Sequence, residues 1–106
     1  MSFDEVKLEE GQVLFKAGDP ADKLYFIQSG SINMADKNTG AVFATLKEGD
    51  SFGEQAMLQG GIRGATAVAA EASTCLEITA EGLRGLLISA SPILTAVFEA
   101  LMAELQ

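Results

Sequence analysis

The chain has 106 residues, 48% of them hydrophobic, and its fifteen acidic against seven basic side chains give a formal net charge of −8. That length suits one domain, taken as 1–106, with one packed core, while the charge argues against nucleic acid, which is bound through clustered Lys and Arg, and against anionic membranes. With no histidine and a single cysteine, the chain lacks the usual base of Ser-His-Asp and Cys-His catalysis, the commonest nitrogen ligand of zinc and any internal disulfide, so neither an enzyme nor a metal centre is expected.

The start, MSFDEVKLEE, is acidic and carries no apolar signal core, and no run approaches the roughly 18 apolar residues of a membrane span, so a cytoplasmic location is expected. Gly11, Gly18, Gly30, Gly40 and Gly49 then separate short apolar runs, among them Val13-Leu14-Phe15, Leu24-Tyr25-Phe26-Ile27 and Val42 to Leu46. These runs are β-branched or aromatic and too short for helices, which predicts a mainly β fold: a sandwich, barrel or roll. Asp19-Pro20 suits the first two positions of a type I turn, and Asn38-Thr39-Gly40 reads as a hairpin loop in which glycine supplies a positive φ. Val42, Ala44 and Leu46 alternate with Phe43 and Thr45 at the period of a strand.

Turn residues surround Phe52, and Glu54 to Gln59 is a short stretch of helix formers stopped by Gly60 and Gly61. A second strand pair is expected at Ala65 to Ala70 and Ser73 to Ile78, with Leu76 and Ile78 on one face, Glu77 on the other, and Cys75 as an inert thiol, packed or half-exposed. From Thr79 the period becomes helical: Thr79 is the N-cap, Glu81 suits the first turn, and Leu83, Leu86, Leu87 and Ala90 line one face. Ser91-Pro92 starts a last helix with an apolar stripe through Ile93, Leu94, Val97, Phe98, Leu101, Met102 and Leu105. The stripe has three readings: packing on its own domain, a lid over a ligand, or a homodimer seam.

The candidate chemistry lies in residues 50 to 68, DSFGEQAMLQGGIRGATAV, which hold one of the chain's two arginines among four of its glycines. A short helix after Gly53 would present unpaired backbone N–H groups, and Arg63 would add a fixed charge with a fork that matches phosphate oxygens. Glu54 would repel a bare phosphate but would accept from the hydroxyl of a sugar phosphate. Local spacing leaves a second reading open, in which Glu54 and Arg63 pair with each other across a surface turn.

Gly53-Glu54 with Ala56, Arg63 nine residues beyond Glu54, and Ala65-Thr66 resemble the phosphate-binding cassette of cyclic nucleotide-binding domains. The upstream residues Gly11 to Phe15, Gly18-Asp19, Asp22, Leu24 to Ile27 and Ser29 to Ile32 resemble that family's opening strands, so the likeness runs from about Leu8 to Leu105. The resemblance implies a double-stranded, jelly-roll-like β-roll with C-terminal helices that binds cAMP or cGMP as its ligand and needs no cofactor. It implies ligand contacts at Gly53, Glu54, Gln55, Ala56, Arg63, Gly64 and Ala65: Glu54 on the ribose 2′-hydroxyl, Arg63 on the cyclic phosphate, and the N–H groups of Ala56 and Gly64 completing the cradle. Phe98, Leu101 or Met102 would cap the base.

Three residues depart from the family's pattern. Gln55 stands for an apolar residue, Ile62 for a common proline, and Gly64 for Ala, Ser or Thr. A hydroxyl at that last position accompanies cGMP preference in the family, so Gly64 favours cAMP. The expected function is a regulatory module in which ligand shifts the C-terminal helices, with a homodimer or effector protein met through the last helix. The alternative is a ligand-independent β-roll that serves interaction or dimerisation.

Overall fold

The computed structural model describes residues 3–53 and 61–90, together with residues 93, 96, 97 and 100. The short apolar runs form strands, and in chain order the elements are β1 (Phe3–Leu8), β2 (Val13–Phe15), β3 (Lys23–Ser29), β4 (Ser31–Asp36), β5 (Val42–Lys47), β6 (Ser51–Phe52), β7 (Ala65–Ala69), β8 (Ser73–Thr79) and a helix, α1 (Ala80–Ala90). Residues 93, 96, 97 and 100 are helical as well. The strands make two four-stranded antiparallel sheets, ordered β1-β8-β3-β6 and β2-β7-β4-β5. This is the expected β-roll with a helix following its last strand.

Strand periodicity places the core between the sheets. In the first sheet Val6, Cys75 and Ile27 stand in register across β1, β8 and β3. In the second, Ile32 of β4 stands opposite Ala69 of β7. Leu8, Phe15, Tyr25, Ile27, Ile32, Phe52, Ala67, Ala69 and Cys75 form one buried cluster. Burial contributes roughly 1.5 to 3 kcal/mol for each large apolar side chain. Burial also pushes the Cys75 thiol above its ordinary pKa, which fits the packed form of the expected inert cysteine. At the far end of β8, Thr79 Oγ1 accepts the backbone N–H of Gly82 at 2.8 Å. Thr79 is therefore the N-cap of α1, as its sequence position suggested.

The β4–β5 hairpin also follows expectation. Gly40 has φ +74°, and the Asp36 carboxylate accepts the N–H groups of Asn38 and Thr39 at 2.8 and 2.9 Å. Those donors, Thr39 first, hold Asp36 below the usual carboxylate pKa.

Four local readings change. First, β1 forms within the acidic start, because Val6 and Leu8 alternate with charged residues and dock beside β8. Second, β7 and β8 are consecutive but not partners: β7 lies between β2 and β4, and β8 between β1 and β3. The bend at Ala70 to Ala72 carries the chain from one sheet to the other. Third, the alternation in β5 is interrupted. Ala35 pairs with Val42 but Met34 with Ala44, so Phe43 is the extra residue of a bulge, 64% exposed. Fourth, the turn at Asp19 closes three residues earlier than expected, with Asp19 as its last residue instead of its first. The Asp19 N–H donates to the Lys16 carbonyl at 3.0 Å, which leaves Pro20 extended, in an isolated bridge with Ile62. Proline suits that place because it needs no donor there.

Candidate functional site

The bridge at Pro20 fixes the loop that carries Arg63. The Arg63 N–H donates to the Asp19 carbonyl at 2.9 Å, the Gly18 N–H to the Arg63 carbonyl at 2.8 Å, and the Ala21 N–H to the Gly61 carbonyl at 2.6 Å. Residues 61 to 63 are thus tied along 18 to 21 on both sides of the bridge. Despite its glycine neighbours, the backbone of Arg63 is held by two hydrogen bonds to Gly18 and Asp19 rather than left free.

From that anchor the side chain turns inward. Arg63 is only 3% exposed. Its Nη1 donates to the Gly53 carbonyl at 2.9 Å and its Nη2 to the Lys23 carbonyl at 2.6 Å. The guanidinium carbon lies 4.2 Å from the centroid of the Phe15 ring and 5.6 Å from that of Tyr25. Among the described residues no carboxylate forms an ion pair with Arg63, and its buried Nε–H has no hydrogen-bond partner. Among the described residues the charge is stabilised by carbonyl dipoles and ring faces and meets no counter-charge. Such burial is costly unless a counter-charge completes it. Arg63 is not at the surface, so a surface turn does not describe it; the pairing with Glu54 in that reading falls outside the described residues.

Gly53 makes this packing feasible. Its φ is +91°, a left-handed conformation that glycine adopts without cost. A Cβ built there would lie 2.7 Å from Arg63 Nη1. Gly64 differs: it is exposed, its φ is not positive, and a Cβ would meet nothing within 4 Å among the described residues. Ala65 opens β7 and is half-buried. The structure thus brings Gly53 and Arg63 into contact, with Gly64 and Ala65 following directly in the chain. Glu54, Gln55 and Ala56, the short helix expected at 54 to 59, and Phe98, Leu101 and Met102 lie outside the described residues.

Sequence reasoning missed Phe15, Tyr25 and Lys23 as neighbours of Arg63. The two aromatics carried a signal, since each stands in an apolar strand run. Lys23 contributes a backbone carbonyl, which leaves no mark in a sequence. Its side chain turns elsewhere: Lys23 Nζ lies 3.2 Å from Glu77 Oε1, and the Tyr25 hydroxyl donates to Glu77 Oε2 at 3.1 Å. A cleft of about 370 Å³ opens there, lined by Phe3, Asp4, Lys23, Glu77, Thr79, Glu81 and Gly82. With three carboxylates against one ammonium, that cleft repels anions, so the anion candidate remains Arg63.

Burial, and after it the Glu77 carboxylate, pushes the Tyr25 phenol up to about 12, with the Arg63 charge opposing. A folded-state pKa above the ordinary 10 means that the native protein holds its proton longer than the unfolded chain. This contribution is present in full below pH ~10 and is lost as pH rises through ~12, amounting to at most about 3 kcal/mol. Tyr25 is the only tyrosine and the chain has no tryptophan, so ultraviolet titration reads it alone. The expected result is ionisation near pH 12, and alkaline urea unfolding that loses stability more steeply in wild type than in Tyr25→Phe. Ionisation near 10 would contradict the burial described.

The family model described as the cyclic nucleotide-binding domain matches residues 5–89. The cAMP-dependent protein kinase regulatory subunit of Yarrowia lipolytica is 34% identical over 87 residues, covering 82% of this chain and 22% of that protein. The regulatory domain of Toxoplasma gondii PKA, solved with cAMP, superposes with a TM-score of 0.72 at 30% identity, over 79% of this chain and 33% of that one. A half-site-occupied form of the EAL enzyme Bd1971 superposes with a TM-score of 0.83 over 96% of this chain and 94% of that one; at 24% identity the likeness is one of fold. The chain spans about a fifth of the length of the curated relatives it matches.

Proposed function

The chain belongs to the cyclic nucleotide-binding domain family, and from that premise we propose that it is a regulatory, non-catalytic cytoplasmic sensor of a 3′,5′-cyclic nucleotide, cAMP before cGMP, folded as one domain over 1–106. The observation that carries this reading is the buried Arg63 guanidinium, which has no carboxylate partner among the described residues and a spare Nε–H. One cyclic phosphate supplies the missing charge, and Glu54 accepts from the ribose hydroxyl. Gly53, Gln55, Ala56, Gly64 and Ala65 complete the cradle, and Phe98, Leu101 or Met102 covers the base. Support for a ligand in this role comes from the Toxoplasma gondii regulatory domain, which was solved with cAMP.

A route for the signal is present in bonded contacts. Lys23 offers its carbonyl to Arg63 and its ammonium to Glu77, and Glu77 lies in β8, which runs directly into α1. An anion at the seated Arg63 guanidinium changes the field along this line of contacts and so the balance at the start of the helix, and the difference in affinity between the two arrangements is what shifts a population. The partner, a second copy or an effector protein, is met through the last helix. Ile93 and Val97 favour this, being 75% and 51% exposed.

Calorimetry with cAMP and cGMP tests the reading. Both are expected to give heat, with cAMP the tighter. Gly64→Thr has room for its side chain, so its melting temperature stays near that of wild type. Its added hydroxyl narrows the gap toward cGMP by about threefold to tenfold, the worth of one hydrogen bond. Absence of heat and of any melting shift with either nucleotide overturns the proposal. Self-association unaffected by saturating nucleotide would then favour the interaction module.

A further inference from the structure

We propose that Phe15 is a positioning residue for the anion contact of Arg63, its ring holding the guanidinium in place from the core side. The proposal rests on the reading of Arg63 given above. Two hydrogen bonds, from Nη1 to Gly53 and from Nη2 to Lys23, anchor only the two terminal nitrogens. The third tether, the bond from Nε to the flexible aliphatic stem, leaves the guanidinium plane able to tilt about the line that joins those two nitrogens. The Phe15 ring, 4.2 Å from the guanidinium carbon, blocks that motion on one face and attracts the cation through its negative π cloud.

The ring itself has little freedom. Its centroid lies 5.8 Å from that of Tyr25 and 6.1 Å from that of Phe52, tilted at 34° and 41°, within the range of favourable aromatic pairs. Phe15 is also buried, so water does not compete for the cation on that side. The donors left over, the Nε–H and one N–H on each terminal nitrogen, are oriented by the same seat. An arginine set in advance loses less freedom when an anion arrives, and the saving appears as affinity. Phe15 touches no ligand in this account and acts only through Arg63.

The test uses the full 106-residue chain and the variant Phe15→Leu, which keeps apolar bulk and removes the ring face. Phe15→Met makes the same comparison if the leucine variant does not fold. Ile32→Val, a fully buried core change on β4, serves as the stability control. The first readout needs no ligand: solvent exchange of the Arg63 Nε–H, followed by nitrogen-15 NMR. Exchange is expected to accelerate in Phe15→Leu and to stay as in wild type in Ile32→Val. The second is calorimetry with cAMP, where Phe15→Leu is expected to bind about fivefold to thirtyfold more weakly, the worth of a desolvated cation–π contact, and Ile32→Val to bind as wild type.

Unchanged exchange and affinity in Phe15→Leu, or equal losses in the control, overturn the positioning role. If wild type gives no heat with cAMP or cGMP, the functional reading fails by itself, and the exchange measurement still decides whether Phe15 seats Arg63.

Discussion

Arg63→Ala is expected to weaken cyclic nucleotide binding by about two to four orders of magnitude. Two charge-assisted hydrogen bonds to one phosphate are worth roughly 1.5 to 3 kcal/mol each, and each 1.4 kcal/mol is tenfold in affinity. The same substitution alters the unliganded protein. It strips the Gly53 and Lys23 carbonyls of their donor and opens space beside Phe15, while it also removes a buried charge that lacks an ion pair among the described residues. The first two effects destabilise by about 1 to 3 kcal/mol each and the third stabilises, so a modest net loss of stability is expected beside a large loss of binding. Arg63→Lys separates charge from shape. A single ammonium keeps the charge but cannot reach both carbonyls and a phosphate with a planar fork, so binding falls by about tenfold to a hundredfold. Calorimetry paired with thermal melting checks both variants. Arg63→Ala binding cAMP as wild type does would remove Arg63 from the site.

Reading from sequence succeeded where a residue's own chemistry determines its place. The short apolar runs became strands, Thr79 became a cap, and Gly40 took the positive φ its hairpin needs. It failed where a partner decides. β1 is a strand because β8 is beside it, and the separation of β7 from β8 depends on the two neighbours each finds in its own sheet, which no local window records. The bulge at Phe43 likewise belongs to the pairing with β4, not to β5 alone. At the candidate site, Gly53 and Arg63 were legible as types, a permissive backbone and a forked cation. Their contact was not, nor was the burial of Arg63. Pro20 suggested a turn, yet its bridge to Ile62 and the hydrogen bonds beside it set the position from which Arg63 enters the interior. The carbonyls of Lys23 and Gly53 belong to the backbone, so any residue at position 23 would have offered the same acceptor.

The contact between Gly53 and Arg63 gives the second large effect. Gly53→Ala is expected to destabilise the fold by about 2 to 4 kcal/mol and to weaken nucleotide binding at least as much as Arg63→Lys. Two terms combine. An alanine held at φ +91° costs about 1 to 2 kcal/mol of backbone strain. Its Cβ also meets Arg63 Nη1 at 2.7 Å, and the guanidinium cannot retreat freely, because the Phe15 ring and the Lys23 carbonyl hold it. Either the backbone at 53 reorients and takes its carbonyl from Nη1, or the arginine leaves its seat; both outcomes damage the anion contact. Gly64→Ala is the matched control, adjacent to the same arginine but with no described residue in the way of a Cβ and without a positive φ, and it is expected to stay within about 0.5 kcal/mol of wild type. Urea unfolding of the two variants separates them, and equal costs would contradict the packing. The double variant Gly53→Ala with Arg63→Ala isolates the collision. With the guanidinium gone only the backbone strain remains, so the pair should cost less than the sum of the two single changes, the non-additivity expected of residues in direct contact.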